Sequence, residues 1–171
     1  MIPMKEIVIL AHNIRSTFNV GSLFRTAEGF GVKEIIFSGY TPYPTVKSDT
    51  RLPHIRDKLT HQISKTALGA ESLVAFQYSE NIESTIEKLK NQDFTVIALE
   101  QSPSSVKLPE LDSTHLPNKI AVLIGEEIHG VTAELLNLCD YIIEIPMSGQ
   151  KESFNVSTAT GIIIYKLACE L

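Results

Sequence analysis

Cysteine is scarce: only Cys139 and Cys169 occur in 171 residues, and they form no Cys-x-x-Cys pair. Two thiols cannot build a structural zinc site, so both read as packing residues, the common fate of free cysteine. Long apolar runs are missing as well. Gly161 to Tyr165 and Ile120 to Ile124 are among the longest, far below the ~20 residues that a membrane-spanning helix needs. Met1 to Glu6 holds no apolar segment of the signal-peptide kind. Together these absences lead to the expectation of a cytoplasmic protein without a membrane partner. His54, His61 and His129 have no metal-ligand spacing, so no metal is expected. Neither Gly-x-x-x-x-Gly-Lys-Ser/Thr nor a Gly-x-Gly-x-x-Gly after the first apolar strand occurs, which removes the usual triphosphate and dinucleotide motifs. There is no repeat, no low-complexity tract and no break in composition, so one domain over residues 1–171 is expected.

What is present is a globular composition, 43% hydrophobic and 20% charged, with charge unevenly spread. Residues 1–66 carry nine Lys/Arg against five Asp/Glu, and residues 67–171 carry six against fifteen, within an overall net charge of -5. The basic positions Arg15, Arg25, Lys47, Arg51, Arg56, Lys58 and Lys65 meet nucleic-acid phosphates if they share a face, or form a plain solvated surface if they do not.

Short β-rich runs alternate with helical patterns, the signature of an α/β domain with a mostly parallel sheet flanked by helices. Strands are expected at Ile7–Ala11, Glu34–Ser38, Leu73–Gln77, Thr95–Leu99, Ile120–Ile124 and Tyr141–Ile145. Helices are expected at Val20–Phe30, Ile82–Asn91 and Thr132–Leu138, and from about Asn155 to Glu170. The last helix has no charge from Ser153 to Tyr165, so much of its circumference must be hidden. Gly39 to Lys65, with Pro42, Pro44 and Pro53, reads as a long loop holding a short helix.

Three polar segments follow apolar strands, where open α/β sheets place ligands. The first contains Asn19, Gly21, Arg25, Thr26 and Ala27; locally, Asn19 also reads as a helix cap and Arg25 as an exposed helical residue. The second, Gly125-Glu-Glu127-Ile-His-Gly130, also reads as a simple strand-to-helix turn with acidic residues at a helix start. The third, Ile145-Pro-Met147 through Ser153-Phe154-Asn155-Val-Ser157, also reads as a helix-capping sequence.

In this order the segments resemble the three motifs of the SpoU/TrmH family of the SPOUT superfamily. Phe154 stands where leucine is usual, and Ile128-His129 where small or acidic residues are commoner. The resemblance implies an S-adenosylmethionine-dependent methyltransferase acting on a ribose 2′-hydroxyl of tRNA or rRNA. It also implies a C-terminal deep trefoil knot and a homodimer packed through the last helix, and it leaves no separate RNA-binding extension in this chain. The implied cofactor contacts are Leu99, Glu100, Gly125, Ile145, Met147 and Phe154. Arg25 is the implied catalytic arginine, with Asn19, Glu127, Ser153 and Asn155 orienting it and the ribose. RNA binding would fall to Arg15, Lys47, Arg51, Arg56 and Lys58. The competing readings are a base-nitrogen methyltransferase of the same superfamily, a catalytically silent RNA-binding or dimerisation module, and an unrelated α/β small-molecule binder.

Overall fold

The computed structural model describes residues 5–169. Met1 to Met4 of the segment inspected for a signal peptide, and Glu170 of the last expected helix, lie outside the described residues. Strands β1 (Glu6–His12), β2 (Glu34–Ser38), β3 (Ala75–Ser79), β4 (Thr95–Leu99), β5 (Val106–Lys107), β6 (Lys119–Ile124) and β7 (Tyr141–Glu144) form one sheet. Their spatial order is β3-β2-β1-β6-β4-β7-β5, and every pairing is parallel. Helices α1 (Thr17–Gly29), α2 (Pro53–Ala67), α3 (Ile82–Asn91), α4 (Ala133–Leu136) and α5 (Val156–Cys169) flank it. The α/β class expected from the alternating pattern is the one found.

The period-2 geometry of a strand divides the core. From β1, Ile7, Ile9 and Ala11 face one hydrophobic cluster, which also takes Leu23 and Phe24 of α1, Ile63 of α2 and Ile164 of α5. Val8 and Leu10 face the opposite cluster, with Ile82, Ile86 and Leu89 of α3 and Leu135 of α4. Burial on both faces accounts for the unbroken apolar runs of β1 and β6. β6 pairs with β1 from Glu6↔Lys119 to Ala11↔Ile124. The connection leaving β1 enters α1 on one face, whereas the one leaving β6 enters α4 on the other. Neighbouring strands whose connections diverge in this way open a crevice at their carboxyl ends.

Several expectations need correction. The helix in the 39–65 stretch is not short: α2 takes its second half from Pro53 onward and runs for fifteen residues. Of its apolar positions Ile55, Leu59, Ile63 and Ala67, only the last two are buried, while Pro53 in its first turn fits the helix start. β3 starts two residues later than expected, and Leu73 ends a short 3-10 turn with 73% exposure. The two-residue β5 was not foreseen, and α4 spans four residues only. Asn19 does not cap α1; Ser16 does, its hydroxyl accepting from the Asn19 amide at 3.3 Å. α5 buries Thr160, Ile163, Ile164 and Leu167, yet leaves Tyr165 exposed. Of the two cysteines, Cys139 packs beneath α4 with its thiol pushed up to about 11 by burial, but Cys169 is exposed on the last turn of α5.

α1 and α2 approach closely at Gly21, where a Cβ would meet Thr66 Oγ1 and the Ile63 carbonyl oxygen. Gly21→Ala is therefore expected to destabilise the fold by about 1–3 kcal/mol through overpacking. A lower urea midpoint at unchanged m-value reads this directly; an unmoved midpoint means that the helices part freely.

Candidate active site

The loops after β4, β6 and β7 border a cleft of about 240 Å³ at the carboxyl edge of the sheet. Its apolar lining includes Leu99, Ile124, Ile145 and Phe154, and five carboxylates surround it: Glu100, Glu126, Glu127, Glu144 and Glu152. Of the six expected cofactor contacts, Leu99, Glu100, Gly125, Ile145 and Phe154 line this cleft, and the half-buried Met147 does not. Glu127 and Ser153 line it too.

The three sequence segments meet at its rim. Asn155 Nδ2 donates to Asn19 Oδ1 at 3.1 Å, and Asn19 Nδ2 donates to Glu127 Oε1 at 2.9 Å. Asn19 can act as this relay because Ser16 has taken the capping duty, leaving the Asn19 side-chain carboxamide available. Asn155 is held in turn as the cap of α5, its Oδ1 accepting from the Ser157 amide at 3.0 Å and the Ser157 hydroxyl at 2.6 Å. The local capping reading of the third segment and the site reading are thus both true of Asn155. The relay fixes which way each amide points, and it presents the Glu127 carboxylate beside the cleft.

Glu100 organises the second segment. Its Oε2 accepts from the Val131 amide at 2.8 Å, and its Oε1 from its neighbour Gln101 at 2.8 Å. Between them Gly125 allows the turn to close, since a Cβ there would lie 2.5 Å from the Gly130 backbone. Gln101 Nε2 donates to the Glu152 carbonyl at 2.6 Å, tying the β4 loop to the third segment. Gln101, Glu126 and Tyr40 were not anticipated. Tyr40 donates its hydroxyl to Glu126 Oε2 at 2.7 Å, and that bond is the main reason its phenol titrates above the ordinary value. The polar Glu100-Gln101 pair directly after an apolar strand was the available signal for Gln101. Nothing local marks Tyr40.

Arg25 is exposed on α1 and does not line the cleft. Six residues separate it from Asn19, which puts the two about 120° apart around the helix. Among the described residues its side chain has neither an ion pair nor a hydrogen bond. The basic positions of the first half diverge. Arg15, Lys47 and Lys58 are exposed. Arg51 is engaged by Asp49 and by the Tyr43 and Pro44 carbonyls, and Arg56 pairs with Asp57. The contact with Arg51 holds Asp49 well below the usual carboxylate range. His54 and His61 are exposed on α2 and His129 lines the cleft; among the described residues no three His, Cys, Asp or Glu side chains converge closely enough to hold a metal ion.

Glu100→Ala strips the Val131 amide of its acceptor, at an expected cost of about 1–3 kcal/mol for a part-buried donor. Faster amide hydrogen exchange at Val131 and Gly130 is the predicted reading, and unchanged exchange there would refute the bracing role.

The sequence profile of the SpoU rRNA Methylase family matches residues 6–165. The tRNA (guanosine(18)-2′-O)-methyltransferase of Aquifex aeolicus (strain VF5) is 27% identical over 95% of this chain and 68% of its own length. The solved structure of the A. aeolicus TrmH/SpoU tRNA modifying enzyme superposes with a TM-score of 0.76 at 26% identity, covering 96% of this chain and 74% of that one. The AdoMet-bound rRNA methyltransferase from Sinorhizobium meliloti shares the fold, with a TM-score of 0.78 at 20% identity over 99% of this chain and 58% of that one. The chain spans 62–68% of the length of the curated tRNA-methylating relatives it matches. A profile match running nearly end to end, over three segments that converge on one cleft, makes this chain a member of the SpoU rRNA Methylase family.

Proposed function

We propose that this chain is an S-adenosylmethionine-dependent RNA methyltransferase that modifies a ribose 2′-hydroxyl of tRNA or rRNA. The observation that carries this reading is the line from Asn155 through Asn19 to Glu127 at the rim of a carboxylate-lined cleft. The 2′-O-methyltransferase activity named for the A. aeolicus relative, and the AdoMet named in the S. meliloti structure, support it.

The lining fits the cofactor. Leu99, Ile145 and the 41%-exposed Phe154 offer apolar surface for a purine, while the surrounding carboxylates favour a sulfonium and an ammonium over a phosphate. When bound, S-adenosylmethionine supplies an electrophilic methyl group on positive sulfur. The task left to the chain is alignment of the 2′-oxygen at near-contact distance. Glu127, with one oxygen held by Asn19, presents the other to the ribose; Ser153 borders the same approach, and Asn155 orients Asn19. Arg25 acts as an electrostatic clamp on the oxygen as its proton passes to solvent water at the exposed rim. A guanidinium stays protonated at ordinary pH, so it lowers the hydroxyl's pKa and does not itself take the proton.

Arg25 does not line the cleft of its own chain, which suits a homodimer in which it meets a cleft across the two-fold axis. α5 offers a suitable interface, since its surface carries the uncharged Thr158, Ile162 and Tyr165. The reading includes a C-terminal deep trefoil knot, compatible with β6 lying between β1 and β4 while β7 lies beyond β4. It also includes a cytoplasmic location, a single domain over residues 1–171 and an RNA footprint on Arg15, Lys47, Arg56 and Lys58, with Arg51 bracing the 43–51 segment that carries Lys47.

Labelled S-adenosylmethionine should transfer its methyl group to tRNA or rRNA from cells lacking this gene, with the label resisting alkaline cleavage at one nucleotide. Absence of cofactor binding sinks the proposal; alkali-labile product moves the methyl group to a base. Arg25→Ala should lower transfer by roughly a hundredfold or more, as loss of a charge-stabilising group does, with cofactor affinity nearly unchanged. Parallel loss of both would make Arg25 structural.

A further inference from the structure

A second and larger concavity, about 660 Å³, adjoins the cleft and is lined by Arg15, Phe18, Tyr40, Tyr43, Arg51 and Tyr78 among others. It lies between the segment joining β1 to α1 and the one joining β2 to α2. Two bonds lock these segments together: Thr41 Oγ1 donates to the Ala11 carbonyl at 3.0 Å and accepts from the Ile14 amide at 2.9 Å. From it we infer that this groove is a stacking subsite for one unpaired nucleotide of the RNA, beside the nucleotide that is modified. The inference rests on the RNA reading above and adds a substrate-contact site outside the three motifs.

Phe18 and Tyr40 are each 52% exposed, an unusual arrangement for two large rings on one concave surface unless something covers them. Phe18 stands on an anchored backbone, and Tyr40 is anchored through its ring as well. The Phe18 carbonyl accepts from Ser22 Oγ at 3.0 Å and Thr66 Oγ1 at 2.9 Å, so the start of α1 is pinned to α2. Tyr40 is anchored at both ends, its amide donating to Asn13 Oδ1 at 3.2 Å and its hydroxyl to Glu126 at 2.7 Å. Fixed aromatic surfaces bind a flat ligand at small entropic cost. The far wall is aromatic and cationic too: Tyr43 stacks on Tyr78 at 4.7 Å, and the Arg51 guanidinium lies 3.7 Å from the Tyr43 ring centroid.

Charge selects the ligand class. Arg15 is exposed at the groove without an ion-pair partner among the described residues, whereas Arg51 is already balanced by Asp49. One available cation beside two exposed rings matches one phosphate and one base. Glu126, bonded to Tyr40, makes the cleft side anionic, so the phosphate belongs at the Arg15 end and the base over the rings. A paired base hides both faces in its stack, so the occupant is single-stranded or extruded. The Tyr40–Glu126 bond also sets the distance, because Glu126 lines the cleft and directly precedes Glu127.

The test uses the full chain with a short single-stranded RNA and the same strand paired to its complement, read by fluorescence anisotropy. Phe18→Ala should weaken single-strand binding by about tenfold or more, and Phe18→Tyr should restore it. Duplex and S-adenosylmethionine affinities should stay within about twofold, as expected for a lost contact that only an unpaired base makes. A strand carrying 4-thiouridine should photo-crosslink to the segments around residues 15–18 or 40–43. Equal loss of strand and duplex binding, unchanged strand affinity, or crosslinks confined elsewhere would overturn the subsite while leaving the methyltransferase reading intact. Failure of the wild-type chain to bind S-adenosylmethionine would count against that reading instead.

Discussion

The ladder between β1 and β6 is the constraint on which the rest of the molecule depends. β1 is buried on both faces, so its backbone amides and carbonyls find no water and must be paired along both edges. β2 satisfies one edge; the other is satisfied by a strand more than a hundred residues downstream, from Glu6↔Lys119 to Ala11↔Ile124. Once β6 occupies that position, β4 is displaced to its far side and β7 beyond β4. The carboxyl ends of all four strands then open onto one edge. Contacts of such sequence separation carry a large loop-closure cost before they return any stability.

This placement also explains how modest local features become a site. Asn19 and Glu127 are 108 positions apart, and Asn155 is 136 from Asn19, yet two hydrogen bonds join the three. Each partner is positioned by something ordinary: Ser16 caps α1, the Glu100 brace shapes the 125–131 turn, and the Asn155 cap starts α5. The site is therefore preorganised by helix ends and a turn rather than by burial, and its polar groups stay near solvent, where a ribose can reach them.

The electrostatic asymmetry of the chain becomes a spatial division. Carboxylates from the acidic second half surround the cleft, while the first half contributes the Arg15 groove and the lysines at 47 and 58. A net charge of -5 is thus no obstacle to an RNA partner, because the surface that would meet phosphate and the surface that would meet a sulfonium are built from different segments.

The sequence by itself determined the α/β class, six strands with bounds within two residues, and the three polar segments that carry the family resemblance. Those features are legible because strand burial and family motifs are encoded locally, in runs such as Ile7–Ala11 and in fixed spacings such as Asn19 to Arg25. What tertiary structure decided is what depends on a distant partner. α2 carries an Ile55-Leu59-Ile63-Ala67 stripe, but only its last two members are buried, and the close approach to Gly21 of α1 fixes where the helix sits. Tyr40 gains its place through Glu126, and Arg51 is removed from the free cations by Asp49. Asn19 and Arg25, neighbours in the motif, are turned apart around α1, because six residues of α-helix do not return to the same face. A one-dimensional pattern records which groups are present and how they are spaced; the direction each one faces is fixed only when the sheet closes around β6.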